Sequence, residues 1–316
     1  MTPRQRVILA GAGHAHIIAL RRFAKRRPNA ELYLVNDGRK AWYTGALPAL
    51  IRGDIAAEQA WLDVGKLAER CGAMFIDARY VDFEGNWLEL ERRSPMRFDI
   101  LAISTGAAPN GGVKPIPKFL ARLSLWDRVE NPLIGIIGGG AAGVEIALAL
   151  RHRLGAKARI TIRAPAGKIL ETAPDTVQRI VREELARARI QVSASFANRM
   201  DDIIHAYTPE PVHDITHTMQ MSGRHNIFAT GDCARFPTPL PRSGAIAVRQ
   251  GHMLAGNIHR LLENKPLKPF RPPATTLAIL SLNSDEATAW YGPVSWTGHL
   301  AMALKSRLDR EWLALG

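Results

Sequence analysis

Apolar and polar positions along this chain repeat one motif: a short aliphatic run, a cluster of glycines, then apolar residues at helical spacing. Residues 6–10 (RVILA) form the first run, Gly11 and Gly13 follow, and helical periodicity runs over residues 14–26. Residues 31–35 (ELYLV) read as a second strand, so the chain opens as strand, helix, strand. The succession restarts after Pro132, with a strand at 133–137, the glycines Gly138, Gly139, Gly140 and Gly143, a helix at 142–154 and a strand at 158–164. Between the two units, residues 36–54 read as a loop. The pattern then predicts a helix over 63–71, a strand over 73–76 and a hairpin over 80–90 turning at Glu84-Gly85-Asn86. A strand from Phe98 runs into a small-residue turn ending at Asn110, and a helix covers 118–129. Beyond the second unit come an amphipathic helix at 174–188, a short strand at 190–192 and an irregular stretch at 196–225. A strand-like NIFATGDCA, a helix from the Ser243 cap to Leu262 and a basic amphipathic helix over 298–315 complete the chain. Strands alternating with helices predict parallel sheets in an α/β fold.

A strand feeding a tight turn and then a helix aims free N–H groups and the positive end of the helix dipole at a phosphate. In the full G-x-G-x-x-G pattern the first glycine makes the turn, the second lets a pyrophosphate approach and the third packs helix on strand. Gly138, Gly140 and Gly143 fill these roles in the second copy, where Ala141 opens the helix. Gly11 and Gly13 fill the first two in the first copy, where His14 and Ala15 open the helix and His16 takes the third position. Two such turns predict two dinucleotides. About twenty positions on, an acid normally binds the ribose hydroxyl. Asn36 and Asp37 stand there in the first copy and Arg163 in the second. Arginine at that position accommodates a 2′-phosphate and so favours NADPH; the alternative reading is an ordinary exposed arginine.

Composition narrows the partners. Lys and Arg number 42 against 29 Asp and Glu, a net charge of +13 that favours anionic ligands. The charges are scattered, and the densest group, Arg21, Arg22, Lys25, Arg26 and Arg27, reads as the solvated end of a helix. With no zinc-finger spacing, RNP-like motif or basic region leading into heptads, nucleic acid is not an expected partner. Cys71 and Cys233 are the only cysteines, and their separation gives no disulfide framework, C-x-x-C or zinc site. No metal site is expected, and His205, His213, His217 and His225 read as solvated loop residues. No leader is apparent, and the most apolar stretch, 133–150, is broken by glycines and Glu145, so a cytoplasmic protein without a membrane span is expected.

The stretches GAGHAH, YTGALPALIRGD, AISTGAAP, VKPI, GGGAAGVEIALALRHRL, GDCARF, AVRQG and KSRLDRE extend over nearly the whole chain. In this order they resemble the two-dinucleotide-binding flavoproteins: the pyridine nucleotide–disulfide oxidoreductases, type II NADH dehydrogenases and sulfide:quinone oxidoreductases. In particular the chain is similar to the NADH-dehydrogenase-like flavoprotein domain fused to some selenide, water dikinases. The resemblance implies two Rossmann-like folds, the second inserted in the first. FAD would be held by the first fold (residues 1–115 and 226–280) and NAD(P)H, as co-substrate, by the second (116–225), with residues 281–316 as a C-terminal interface segment. It implies that Asp232, beside Gly231, bonds the ribityl or pyrophosphate region of FAD. Thr105 and Gly106 would mark the crossing between folds, Thr44 and Gly45 a loop near the flavin ring. Glu145 would stand at the catalytic junction where nicotinamide and flavin meet. The Ser243 helix, opening with Gly244 and Ala245, would present N–H groups to the negative charge of a reduced flavin. Gln250, further along it, reads either as a catalytic group at the ring edge or as a surface polar residue.

The departures from that pattern shape the expectations. No paired cysteines accompany the flavin motifs, so thiol chemistry is not expected and Cys233 reads as a small buried residue. The second fold is shortened: SFANRMDDIIHAYTPEPVHDITHTMQ is too brief for both a β-meander and a returning A-T-G turn, and Thr208-Pro209 stands where Thr-Gly would. Proline fixes φ and lacks an N–H, which disfavours close cofactor approach. One face of the second sheet is therefore expected to be open or covered by a partner subunit. In the tail, Trp296, Leu300, Leu304, Leu308, Trp312 and Leu313 form one apolar stripe with Lys305, Arg307 and Arg310 largely off it. Such a helix suits either docking at the inner face of the cytoplasmic membrane, or packing on the FAD domain or a homodimer contact. The expected function is an FAD-dependent oxidoreductase that takes hydride from NAD(P)H and passes electrons to a quinone or other small acceptor. The alternative is an FAD-binding electron-transfer subunit that works with a protein partner and no longer uses NAD(P)H.

Overall fold

The first strand–glycine–helix unit folds as its pattern predicts. The computed structural model describes residues 4–107 and 111–316. In it β1 (Gln5–Ala10) leads through the glycines into α1 (His14–Lys25) and on to β2 (Ala30–Asn36), paired parallel to β1 from Gln5↔Ala30 to Ala10↔Val35. The segment read as a loop is more ordered than expected. It holds β3 (Lys40–Trp42) and the short helix α2 (Leu47–Arg52), which has Pro48 in its first turn. The helix stops at Gly53, whose φ of 87° turns its N–H back onto Ala49 O. β4 (Trp61–Asp63) pairs antiparallel with β3, and Asp63 caps α3 (Val64–Arg70) by accepting the Lys66 N–H at 2.9 Å. β5 (Met74–Asp77) follows. The predicted hairpin, β6 (Tyr80–Glu84) and β7 (Trp87–Leu90), gains a third strand, β8 (Arg93–Arg97). β9 (Ile100–Ile103) is buried throughout; the end of the turn predicted after it, Ala108–Asn110, lies outside the described residues.

The second unit begins with α4 (Ile116–Trp126) and runs through β10 (Leu133–Ile137), α5 (Ala141–Leu154), β11 (Arg159–Arg163), α6 (Asp175–Arg187) and β12 (Gln191–Ser193). β13 (Asp202–His205) lies within the stretch read as irregular, yet it pairs parallel with β10 and completes a sheet in the order β12-β11-β10-β13. Helices α5 and α6 bury Val144, Leu148, Val177 and Val181 in a core with Ile134, Ile136, Ile160 and Ile162. The opposite face carries Gly135, and a Cβ there would come within 2.7 Å of Phe196 and 3.0 Å of Met200. Two residues of the connecting loop thus cover the middle of the face for which a meander is missing.

The chain enters and leaves this second unit side by side. His205 N–H donates to Gly111 O at 3.2 Å. Arg122 clasps the Asp202 carboxylate at 2.6 and 2.9 Å and donates to the carbonyls of Gly111 and Gly112 at 3.3 and 3.2 Å. After β14 (His213–Asp214), β15 (Ile227–Ala229) rejoins the first sheet beside β9, giving the order β15-β9-β1-β2-β5. β16 (Ala234–Arg235) precedes α7 (Gly244–Leu262), whose Ser243 cap accepts the Ile246 N–H at 3.3 Å. α7 crosses α1 at Gly251, where a Cβ would stand 2.4 Å from Ala15 O, and Leu20, Phe23, Leu254 and Ile258 fill the core below. Each such side chain contributes about 1.5–3 kcal/mol when fully buried.

A three-stranded antiparallel sheet, β17 (Ala278–Ser281), β18 (Ala287–Tyr291) and β19 (Val294–Gly298), then carries α8 (His299–Leu313). The apolar stripe foreseen for α8 is packed only in part: Trp296, Trp312 and Leu313 lie against the core, while Leu300 is 82% and Leu308 41% exposed. Ala301 and Met302 are buried off the stripe, and Lys305 and Asp309 form a half-buried ion pair at 2.8 Å within the helix. Among the described residues no helix is long and apolar enough to cross a membrane.

Candidate functional site

The first glycine turn is shaped by the end of β9. Gly11 has φ 89°, and Cβ atoms at Gly11 and Gly13 would each stand 2.6 Å from Ser104 O, with Ser104 Oγ 2.3 Å from the one at Gly13. The second glycine therefore admits the Ser104–Thr105 turn here, a packing role in place of the open approach that the motif suggested. Thr105 is exposed at that turn and Gly106 follows at φ 72°. The third position is filled by His16, fully buried, whose Nδ1 lies 2.6 Å from Gly11 O. A carbonyl only accepts, so Nδ1 carries the proton, and burial holds this imidazole neutral with a pKa of about 4. Asn36 is spent on the same turn: its Oδ1 accepts the Ala12 N–H at 2.9 Å and its Nδ2 donates to Gly38 O at 2.8 Å, while Asp37 stays exposed.

Two helix N-termini converge on this turn. Among the described residues the N–H groups of His14 and Ala15 at the start of α1, and of Gly244 and Ala245 at the start of α7, find no backbone acceptor. The His14 ring lies against Gly244, so the two positive dipole ends face one place. Burial and the nearby Lys114 charge hold His14 at about 4. Asp232 and Gly231 line a cavity of about 350 Å³ with Ser243, Ile246, Gln250 and the proline-rich segment 237–242. Gln250 is buried and its Oε1 accepts the Gly231 N–H at 2.7 Å, which fixes the turn that carries Asp232. Cys233, next along, is buried with its thiol pushed up by desolvation, and its Sγ donates to Thr230 O at 3.2 Å.

The second turn has the geometry of the full motif. Gly138 (φ 129°) admits Ala206 O, and at Gly143 a Cβ would fall 2.0 Å from Gly138 O. At Gly140 a Cβ would meet nothing within 4 Å, and Ala141 is exposed, so the space over the start of α5 is open to a ligand. The same contact is solved differently in the two turns. The first-glycine carbonyl meets an imidazole donor in the first and a bare glycine in the second. Arg163 stands at the end of β11 with its guanidinium over the Phe196 ring at 5.5 Å.

Glu145 links the two units. One turn into α5, its Oε1 accepts the Ser281 N–H at 2.8 Å, and burial pushes the carboxyl pKa up while the Lys305 charge pulls it down. Lys305 in turn donates to Gly45 O and to Asp309 Oδ2, both at 2.8 Å, and Asp309 Oδ1 accepts the Tyr43 hydroxyl at 2.8 Å. Trp312 stacks on His14 at 4.3 Å. Tyr43, Gly45, Lys305 and Asp309 are thus one hydrogen-bonded network, and Glu145 lies within the field of its lysine. Tyr43, Lys305, Asp309 and Trp312 were not singled out as site residues from sequence; their signals were the YTGALPALIRGD and KSRLDRE stretches and, for Trp312, the apolar stripe of the tail. Glu145→Gln keeps the acceptor for Ser281 and removes the titration. Because the folded carboxyl pKa lies above its unfolded value, wild-type stability falls as pH rises through it. The variant is expected to gain stability relative to wild type as pH rises above the ordinary carboxylate range, read by thermal melts; a difference independent of pH would contradict the buried-carboxyl assignment.

The free N–H groups at both turns and the open direction at Gly140 fit two bound dinucleotides. The sequence profile of the pyridine nucleotide-disulphide oxidoreductases matches residues 5–201. A probable ferredoxin reductase, CtmF, of Castellaniella defragrans is 26% identical over 163 residues, and the match takes in 46% of this chain and 40% of that protein's length. Among solved structures, the sulfide:quinone oxidoreductase of Aquifex aeolicus matches with a TM-score of 0.79 at 16% identity, over 98% of this chain and 91% of that one. NDH2 of Plasmodium falciparum gives 0.79 at 11% identity over 98% and 95%. The covalent putidaredoxin reductase–putidaredoxin complex gives 0.70 at 15% identity over 98% and 94%. At these identities the solved structures establish the fold.

Proposed function

The chain belongs to the pyridine nucleotide-disulphide oxidoreductases, a flavoprotein family, and from that premise we propose an FAD-dependent oxidoreductase that takes hydride from NAD(P)H and delivers electrons to a quinone or another small acceptor. The observation that carries this reading is the meeting of the start of α5 in the second unit with the Gly45 segment of the first: Ala46, Leu47 and Val144 share one core, and Lys305, bonded to Gly45 O, acts on the Glu145 carboxyl. Bound FAD supplies the two-electron acceptor. The His14 and Ala15 N–H groups hold its pyrophosphate, and Asp232, fixed through Gln250, takes its ribityl hydroxyls. Gly244 and Ala245, at the positive end of α7, would present N–H groups to the FAD ring and favour negative charge there. Gly138, Gly140, Ala141 and Gly143 hold the nicotinamide dinucleotide, with Arg163 at its ribose. Both cysteines are buried, which leaves no thiol pair for disulfide chemistry.

A second reading, an electron-transfer subunit that does not use NAD(P)H, draws on the stretch after β13. Arg242 donates to Thr208 O and Pro209 O and pairs with Glu210 at 3.6 Å, drawing that stretch toward the loop before α7. Anaerobic stopped-flow mixing of the FAD-loaded protein with NADH and with NADPH separates the two. Rapid bleaching of the oxidised flavin band is expected, faster with NADPH if Arg163 meets a 2′-phosphate. A flavin that dithionite reduces and neither nucleotide bleaches would overturn the dehydrogenase reading in favour of the subunit.

A further inference from the structure

We propose that Trp312, on the last turn of α8, is a cofactor-retaining residue that sets how slowly the dinucleotide of the first turn dissociates. The proposal rests on the reading that this turn holds FAD. Trp312 stacks on His14 with ring centroids 4.3 Å apart and planes 20° apart, and both rings lie 5.9 Å from Tyr43. His14 is the first residue of α1 and its ring lies beside Gly244 of α7, so the indole stacks over the start of α1 next to the start of α7.

The way α8 packs supports a role beyond filling a core. A helix held only by the hydrophobic effect buries its apolar stripe. This one leaves Leu300 and Leu308 in solvent and turns inward the Lys305–Asp309 pair, whose partners are Gly45 O and the Tyr43 hydroxyl. Burial and the Asp309 charge raise the Tyr43 pKa, so the phenol stays protonated and its hydrogen bond persists across the physiological range. Past Trp312, Arg70 donates to Leu315 O at 2.8 Å and Gly316 O at 2.7 Å. The indole is therefore pinned from both sides against the turn, and release of a dinucleotide from that turn requires the stack to open.

The test is the dissociation rate of FAD from the loaded full chain, followed by the return of free-flavin fluorescence after dilution. Aromatic pairs are worth about 0.5–1.5 kcal/mol beyond their buried area, so Trp312→Ala is expected to speed release about tenfold. Trp312→Phe, which keeps a stacking ring, should return the rate to within about threefold of wild type. Asp309→Asn, which loosens the clip without touching the stack, should also speed release. The melting temperature of the FAD-free protein should stay unchanged in Trp312→Phe, while Asp309→Asn, which breaks the Lys305 pair, should lower it. Wild-type release from Trp312→Ala overturns the proposal and leaves FAD binding standing. A Trp312→Ala defect that phenylalanine does not rescue, accompanied by a lowered melting temperature without FAD, makes Trp312 a packing residue and also overturns it. Failure of the wild-type chain to take up FAD removes the reading underneath.

Discussion

Gly13→Ala is expected to destabilise the protein by ~2–3 kcal/mol and to weaken FAD binding about 100-fold, whereas Gly140→Ala is expected to leave stability unchanged. The two glycines hold the same place in their motifs, and both backbones are extended in φ/ψ regions open to any residue (φ −65° and −77°). The difference lies in what a methyl meets. At Gly13 it would stand 2.3 Å from Ser104 Oγ and 2.6 Å from Ser104 O, so the β9 turn must move, and with it the N–H groups that face the phosphate. At Gly140 it meets nothing within 4 Å and projects into the space over α5. Gly140→Ala should therefore act on the ligand alone, raising the Kd for NAD(P)H with no change in melting temperature. Urea denaturation and nucleotide titration of both variants check the contrast. Equal stability of Gly13→Ala and wild type would mean that Ser104 yields freely and that the first turn is not set by packing.

Stability is expected to fall steeply below about pH 6.5, with His16 alone accounting for about 3 kcal/mol by pH 4. The unfolded imidazole titrates near 6.5 and the buried one near 4, so between those values the unfolded chain binds the extra proton. A depressed folded pKa contributes stability that is fully present above the unfolded value and is lost as pH falls toward the folded one. Two and a half units at about 1.36 kcal/mol each give the figure. His14 acts in the same direction, since its pKa is also near 4. His16→Asn, whose amide can still donate to Gly11 O, should flatten the dependence in urea melts between pH 4 and 7. An unchanged slope in that variant would place the acid sensitivity elsewhere.

Both glycine turns and most of the elements around them were legible because periodicity changes sharply at each: aliphatic run, glycines, helix. β13 was hidden because its four residues, DIIH, are flanked by polar and proline-rich sequence, and their partner, β10, lies far back in the chain. α2 was hidden by its length, although Pro48 in its first turn and Gly53 at its end are local signals of a short helix. The packed face of α8 was legible only in part, at Trp296, Trp312 and Leu313, because a hydrophobic stripe cannot reveal a helix that turns an ion pair inward. The local geometry was legible where backbone dictates it, at the glycines and the Ser243 cap. The site was obscure where side chains from distant segments meet, as in Tyr43–Asp309 and Trp312–His14. Neither pair has a spacing that could announce it.

The Arg122 clasp has a further consequence. The chain leaves for the second unit at Gly111 and returns at His205, joined by a hydrogen bond, while β9 and β15 on either side are neighbours in the first sheet. Both covalent connections to the second unit thus run through one narrow neck, while α5 also packs on α2 of the first unit. Excision of the second unit and the joining of the two ends by a few residues would leave all five strands of the first sheet with their partners. The same neck offers a route by which one strand–glycine–helix module could have been acquired inside another, in a single insertion and without reordering the strands of the host.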